Sequence, residues 1–119
     1  MDKTRLDEIT YVFLVNIDVE MSGGKAGAQV SNVAVKLPKV DLKPLEEPCT
    51  YVLGASEKYM MFLLKHVGEE LGIEYTVDAG LTEFTVGVLT CIGWKFNRDY
   101  RFLTEFLPLW NTELYKENK

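Results

Sequence analysis

Residues 8–20 alternate apolar side chains without a break, and no other feature of the chain constrains the fold as strongly. One parity is apolar throughout, namely Ile9, Tyr11, Phe13, Val15, Ile17 and Val19, whereas the other parity starts apolar at Val12 and Leu14 and becomes polar. Because successive side chains of a strand point to opposite faces, a period of two predicts a strand with one buried face. The glycine-rich run 21–27 has the composition of a loose hairpin turn, which predicts a second strand over residues 28–37.

Two helices are predicted from the residues at their ends. Ser56 is suited to cap the first helix through its hydroxyl. This helix would run to Leu71, with Gly72 in the left-handed position that follows a helix C-terminus. Asn97 would cap a final helix. Pro108 has no amide hydrogen, so it would kink that helix or divide it into two pieces.

Shorter strands complete the predicted order. An extended piece is expected at residues 50–53, and a second hairpin is expected from residues 73–77 and 81–96. The resulting order is β-β-α-β-β-α, which predicts an α+β fold: a two-layer sandwich of an antiparallel sheet with two helices on one face. A length of 119 residues is ordinary for one domain, so residues 1–119 are expected to form a single α+β domain.

The charges and cysteines of the chain narrow the classes of partner and cofactor. The 18 acidic and 13 basic residues give a net charge of −5, which disfavours phosphate backbones and anionic lipid, so no nucleic-acid or membrane partner is expected. The first eight residues have no apolar core of signal-peptide length, which predicts a cytoplasmic protein. Cys49 and Cys91 lack metal-like spacing, so free thiols are expected, with no metal and no cofactor.

His66 is the only histidine of the chain, and it is the main candidate for chemistry. At 100° per residue it lies on one flank of the first predicted helix with Tyr59, Phe62 and Glu70. The imidazole could act as a general base or contact a ligand, or it could simply cover the edge of the core. A ligand pocket between helices and sheet would be lined by Tyr11, Tyr59, Phe62, His66 and Trp94. No catalytic residue is assigned.

Two other features resemble functional sites less closely. Residues 22–27 are glycine-rich, but they lack the GxxxxGK[ST] pattern and precede a predicted strand, so we interpret them as a hairpin loop. Cys91 would lie in the middle of a strand, where no helix N-terminus, cation or histidine is expected to activate a thiolate. We therefore expect Cys91 to be a small packing residue.

The final helix would carry more apolar surface than one contact with a sheet can bury. On a helical wheel its apolar side chains cover roughly half of the circumference, whereas such a contact needs a stripe of about 100° or somewhat more. The sheet face predicted to lack helices is also apolar. Exposed apolar patches usually mark interfaces. The predicted interface residues are Phe102, Phe106, Leu109 and Trp110 in the final helix, and Leu14 and Leu89 on the sheet.

These observations favour an interaction or assembly module without enzymatic activity over an enzyme. The expected partner is a second copy of the chain, in a homodimer held by the final helix or by the outer sheet face. The alternative is a small-molecule-binding protein or a small enzyme, with a pocket near His66. The two hypotheses differ in whether protein covers the apolar excess or whether it encloses a cavity.

Overall fold

The structure, a computed structural model, describes residues 9–40, 49–78 and 87–117. Its elements in chain order are β1 Ile9–Asn16, α1 Gly23–Ala34, β2 Cys49–Ala55, α2 Glu57–Leu71, β3 Glu74–Val77, β4 Leu89–Lys95, a 3₁₀ helix Arg98–Leu103 and α3 Glu113–Glu117. The strand order in the sheet is β2-β1-β4-β3, with β2 parallel to β1 and β4 antiparallel to both of its neighbours. The α+β class is as predicted, but the sheet is mixed and the main elements follow the order β-α-β-α-β-β.

The two long helices cover opposite faces of the sheet. Phe13 and Val15 of β1 belong to one buried cluster with Ala26 and Val33 of α1. The alternate β1 residues belong to a second cluster that α2 covers: it includes Val12, Leu14, Met60, Leu63, Ile92 and Trp94. Because alternate side chains of a strand point to opposite faces, the described residues form three layers, helix on sheet on helix. The predicted two-layer sandwich was wrong, because α1, a helix that was not predicted, covers the second face of the sheet.

Residues 28–37, predicted as a strand, lie largely in α1. Ser22 caps this helix, and its Oγ accepts a hydrogen bond from the Lys25 amide at 3.1 Å. The residues that α1 buries are Ala26, Gln29 and Val33, spaced three and four apart as on one face of a helix. The valines of this segment favour strands, and its glycines resemble a turn, so local composition pointed to a hairpin. The contact with the sheet overrides that preference.

Because residues 23–34 are helical, a methyl group added at Gly27 should stabilise the protein. Gly27 is exposed inside α1, and a Cβ built there meets nothing within 4 Å. Gly27→Ala should raise the free energy of unfolding by about 0.5–1 kcal/mol, because alanine loses less backbone entropy in a helix interior. Urea denaturation measures the change. Gly93→Ala is the control with the opposite sign, since its Cβ would come within 2.5 Å of Phe13 Cδ1. A loss of stability in Gly27→Ala would contradict the helix.

A β-bulge in β4 decides which of its side chains face each helix. Thr76 of β3 pairs with Cys91, whereas the next residue, Val77, pairs with Leu89, so Thr90 is the extra residue. As a result, Leu89 joins the cluster under α2 and Cys91 joins the cluster under α1. The hairpin pairing of β3 with β4 is as predicted. The first part of the predicted strand 81–96 lies outside the described residues.

The segment after β4 does not form the predicted final helix. Asn97 caps the short 3₁₀ helix, and its Oδ1 accepts a hydrogen bond from the Asp99 amide at 3.0 Å. The chain then passes along the edge of β2, where Gly54 N donates to Pro108 O at 2.8 Å and Trp110 N donates to Val52 O at 2.9 Å. The 3₁₀ helix ends at Leu103, before Pro108, so Pro108 lies in an extended segment and does not kink or divide a helix as predicted.

Candidate interaction surface

One flank of α2 carries a row of aromatic rings. Tyr59 and Phe62 are three residues apart on the helix, and their rings stack with centroids 6.2 Å apart. The His66 ring lies next along the helix, 4.5 Å from the Phe62 ring. Phe62 is 50% exposed, and His66 is exposed as well. The flank predicted from the helical wheel is therefore present, and most of it faces outward.

The 3₁₀ helix and the turn after it pack against this flank. The Tyr59 hydroxyl donates a hydrogen bond to Leu103 O at 2.6 Å, and the Phe106 ring meets the Tyr59 ring edge-on at 5.7 Å. The Tyr100 hydroxyl donates to the Glu70 carboxylate, and this hydrogen bond raises the pKa of Tyr100. Burial raises the pKa of Tyr59. Both phenols therefore stay protonated at neutral pH and keep donating to their acceptors.

Tyr59, Phe62, His66 and Phe106 form a surface that we call the α2 face. Phe106 is 65% exposed, although its own chain fixes it against Tyr59. Beside these rings lies an apolar groove of about 400 Å³, lined by Ser56, Lys58, Tyr59 and Phe62. The exposed rings are thus ordered side chains around a concave site, the combination that protein–protein interfaces use for their central contacts.

The segments around the α2 face carry little net charge, although the chain as a whole is acidic. Helix α2 and residues 98–106 contain four basic and five acidic side chains: Lys58, Lys65, Arg98, Arg101, Glu57, Glu69, Glu70, Asp99 and Glu105. Most of the net charge of −5 therefore lies elsewhere in the chain. An acidic partner can approach this side of the molecule with little electrostatic repulsion.

The structure does not bring the five predicted pocket residues together. Tyr59, Phe62 and His66 are neighbours, but Trp94 is buried in the cluster beneath α2. Tyr11 packs with the cluster on the opposite face of the sheet, and its hydroxyl donates to Pro38 O at 2.8 Å. The register explains this separation: Val12 pairs with Trp94, so Tyr11 and Trp94 point to opposite faces.

The predicted interface residues also divide into two groups. Phe102, Phe106 and Leu109 are 58%, 65% and 63% exposed, but they do not share one helical arc: Phe102 lies in the 3₁₀ helix, and Phe106 and Leu109 lie in the turn and extended segment after it. Trp110 is half-buried against the cluster under α1. Leu14 and Leu89 are buried beneath α2. The expectation of an uncovered apolar sheet face is thereby corrected, because α2 covers it within one chain.

A polar cluster at the end of β1 was not recognised from the sequence. Asn16 is fully buried, where its Nδ2 donates to Leu89 O and its Oδ1 accepts from Asp18 N, both at 2.7 Å. Asp18 Oδ2 accepts from the Glu57 amide at 2.9 Å, at the start of α2. These groups bind backbone, so they join β1, β4 and α2 and stabilise the fold. An amide interrupting an apolar strand was the available signal.

The glycine-rich run opens α1 and does not form the hairpin loop that was expected. Its lysine, Lys25, forms an ion pair with the buried Asp78 carboxylate at 3.2 Å. Nearby, Thr90 Oγ1 donates to Gln29 Oε1. These contacts hold α1 to β3 and β4. They also mean that the ammonium group of Lys25 binds a carboxylate of its own chain.

Features that would indicate an enzyme are weak in the described part of the chain. Cys49 and Cys91 are free thiols, as predicted, and burial raises the pKa of Cys91 to about 12, so it is not an activated nucleophile. No group of three or more His, Cys, Asp or Glu residues that could hold a metal occurs within residues 9–40, 49–78 and 87–117. Among these same residues, no helix is long and apolar enough to cross a membrane.

Comparison with known proteins gives no family. Neither the models of protein families nor the curated protein sequences contain a match to this chain. Among the described residues, the exposed aromatic rings of the α2 face are the feature that points most clearly to a function.

Proposed function

We propose that this protein is a non-enzymatic interaction module that forms a homodimer through the α2 face. The observation that carries the proposal is the pair Phe62 and Phe106, two large apolar rings that are half or more exposed although both contact Tyr59. Full burial of a phenylalanine side chain contributes roughly 1.5–3 kcal/mol. Both rings are already partly buried, so a contact that covers them on each of two copies recovers about half of that amount four times, which offsets part of the entropy lost on association.

The charges favour a second copy as the partner. Two copies of a chain with net charge −5 repel each other over most of their surfaces. The segments around the α2 face carry basic and acidic side chains in nearly equal number. A twofold axis places identical patches against each other, so a patch that carries both signs can complement itself.

The groove gives the second hypothesis, small-molecule binding, a specific location. Its lining by Ser56, Lys58, Tyr59 and Phe62 is aromatic, with one cation at the edge. Sites of this kind take flat apolar ligands that carry a negative group. A protein with that function would bind its ligand as a monomer, which separates this alternative from the homodimer.

Charge insertion tests the proposal. Phe106→Glu should convert the dimer into a folded monomer, because a carboxylate at the centre of the contact loses its hydration without gaining a partner. Val35→Glu is the matched control, since Val35 is 81% exposed at the end of α1 on the other side of the sheet, and this variant should remain dimeric. Sedimentation velocity gives the mass, and circular dichroism reports the fold.

Two results would contradict the proposal. The first is a wild-type chain that stays monomeric at every concentration tested. The second is a Phe106→Glu variant that dimerises as strongly as Val35→Glu, which would remove the α2 face from the contact. Saturable binding of an aromatic carboxylate by a monomeric wild-type chain would favour the small-molecule hypothesis.

A further inference from the structure

We infer that Phe106 of each copy occupies the groove beside Tyr59 and Phe62 of the other copy, an inference that rests on the proposed homodimer. Phe106 is more exposed than Phe62, at 65% against 50%. The groove is lined by Ser56, Lys58, Tyr59 and Phe62, so Phe106 lies outside the groove of its own chain. The surface thus presents a projecting ring and an apolar recess as two separate features.

The groove has the size and chemistry that a phenyl ring requires. It is a shallow depression of about 400 Å³, open to solvent and lined mainly by apolar surface, so a phenyl ring can lie against its wall. Inside the groove the incoming ring would lie beside the rings of Tyr59 and Phe62, and aromatic pairs add about 0.5–1.5 kcal/mol beyond the area that they bury.

The positions of ring and groove fit twofold symmetry. Tyr59 lines the groove and also contacts Phe106, so the two features are direct neighbours on one surface. In a symmetric dimer, if residue i of one copy contacts residue j of the other, then j also contacts i. An axis that passes near Tyr59 therefore produces two identical ring-in-groove contacts. One copy alone cannot make this contact, because its Tyr59 lies between its Phe106 and its groove.

The charges beside the two features are complementary. Lys58 lines the groove, and Glu105 immediately precedes Phe106 in the chain. Glu105 is exposed and forms an ion pair with a neighbour on its own segment, Arg101, at 3.6 Å. Entry of Phe106 into the groove brings Glu105 towards Lys58 of the other copy. Opposite charges at the edge of an interface guide encounter and fix its register.

Cysteine cross-linking between two different variants tests this arrangement. One variant carries Lys58→Cys, the other carries Glu105→Cys, and both retain Phe106. Cys49→Ser removes the half-buried thiol from each, while Cys91 is fully buried with a pKa of about 12 and does not react in the folded protein. Mild oxidation of the mixture should give a disulfide-linked dimer, because a disulfide requires Cα atoms within about 7 Å. Lys58→Cys mixed with Val35→Cys is the control and should give none.

The outcomes separate this inference from the proposed function. A mixture that sediments as a dimer but forms no bond between positions 58 and 105 would overturn the ring-in-groove contact and leave the homodimer standing. A mixture that sediments as a monomer would overturn both. Equal cross-linking with the Val35→Cys control would mean that random collisions produce the bond, and this result would also overturn the inference.

Discussion

Replacing Phe13 with alanine is expected to lower the free energy of unfolding by about 3–5 kcal/mol, because it removes a large buried ring and leaves a cavity. Phe13 is only 2% exposed, in the cluster that joins β1 to α1. Its ring fills the space above Gly93 on the neighbouring strand, where a Cβ would come within 2.5 Å of it. The rigid sheet on one side and the helix on the other leave little freedom for the site to collapse.

Urea denaturation at equilibrium measures this loss, and Phe62→Ala serves as the control. Phe62 is half exposed and has less burial to lose, so its replacement should cost clearly less than that of Phe13. The comparison is made at a concentration where the chain is monomeric, because dimerisation would add to the apparent stability. A Phe13→Ala loss under about 1 kcal/mol would mean that α1 does not cover this face of the sheet.

Removing the Lys25 ammonium group should cost about 1.5–3 kcal/mol, since it takes one charged hydrogen-bond donor from a carboxylate that remains buried. The Asp78 side chain is 2% exposed and lies 3.2 Å from Lys25 Nζ. Lys25→Met retains an apolar stem of similar length, so the loss reports the charge and not the packing. The double variant Lys25→Met/Asp78→Asn should recover part of that stability, because the remaining amide is neutral.

A double-mutant cycle in urea measures the interaction between these two residues. The ion pair Lys116–Glu113 is the reference, since both of its side chains are mostly exposed and Lys116→Met should change stability by less than about 1 kcal/mol. If Lys25→Met costs no more than Lys116→Met, the carboxylate of Asp78 is hydrated in solution. That result would contradict the close packing of α1 against β3 and β4.

The sequence predicted the elements whose signals are local. Ser56 caps α2 by accepting from Tyr59 N at 3.1 Å, and Gly72 ends the helix with a φ of 66°. The first strand was also predicted, because the alternation of β1 depends only on neighbouring residues. The segment that forms α1 was predicted wrongly from the same kind of local signal. Its glycines and valines favour turns and strands, but packing against the sheet makes the segment helical.

The arrangement of layers could have been recognised from one overlooked clue. In β1 the residues Val12 and Leu14 are as apolar as Phe13 and Val15 between them. A strand that is apolar on both faces is typical of a sheet covered on both sides. The second apolar face was predicted to be an interface, because no helix was predicted between β1 and β2. Within one chain, α2 buries Leu14 completely.

The candidate site was predictable only in part. Tyr59, Phe62 and His66 share a flank because helical spacing alone brings them together. Phe106 reaches Tyr59 through a 3₁₀ turn that no periodic pattern indicates. Tyr11 and Trp94 were assigned to a common pocket, but their faces depend on the pairing register, and a shift of one residue exchanges the faces.

The molar mass of the wild-type chain in solution tests the central claim most directly. Sedimentation equilibrium at about 1–100 μM spans the range in which an interface of a few aromatic anchors should become occupied. The homodimer predicts a rise from the monomer mass of 13.6 kDa towards twice that value as the concentration increases. A mass of 13.6 kDa throughout would contradict it, and the exposed rings of the α2 face would then need another explanation.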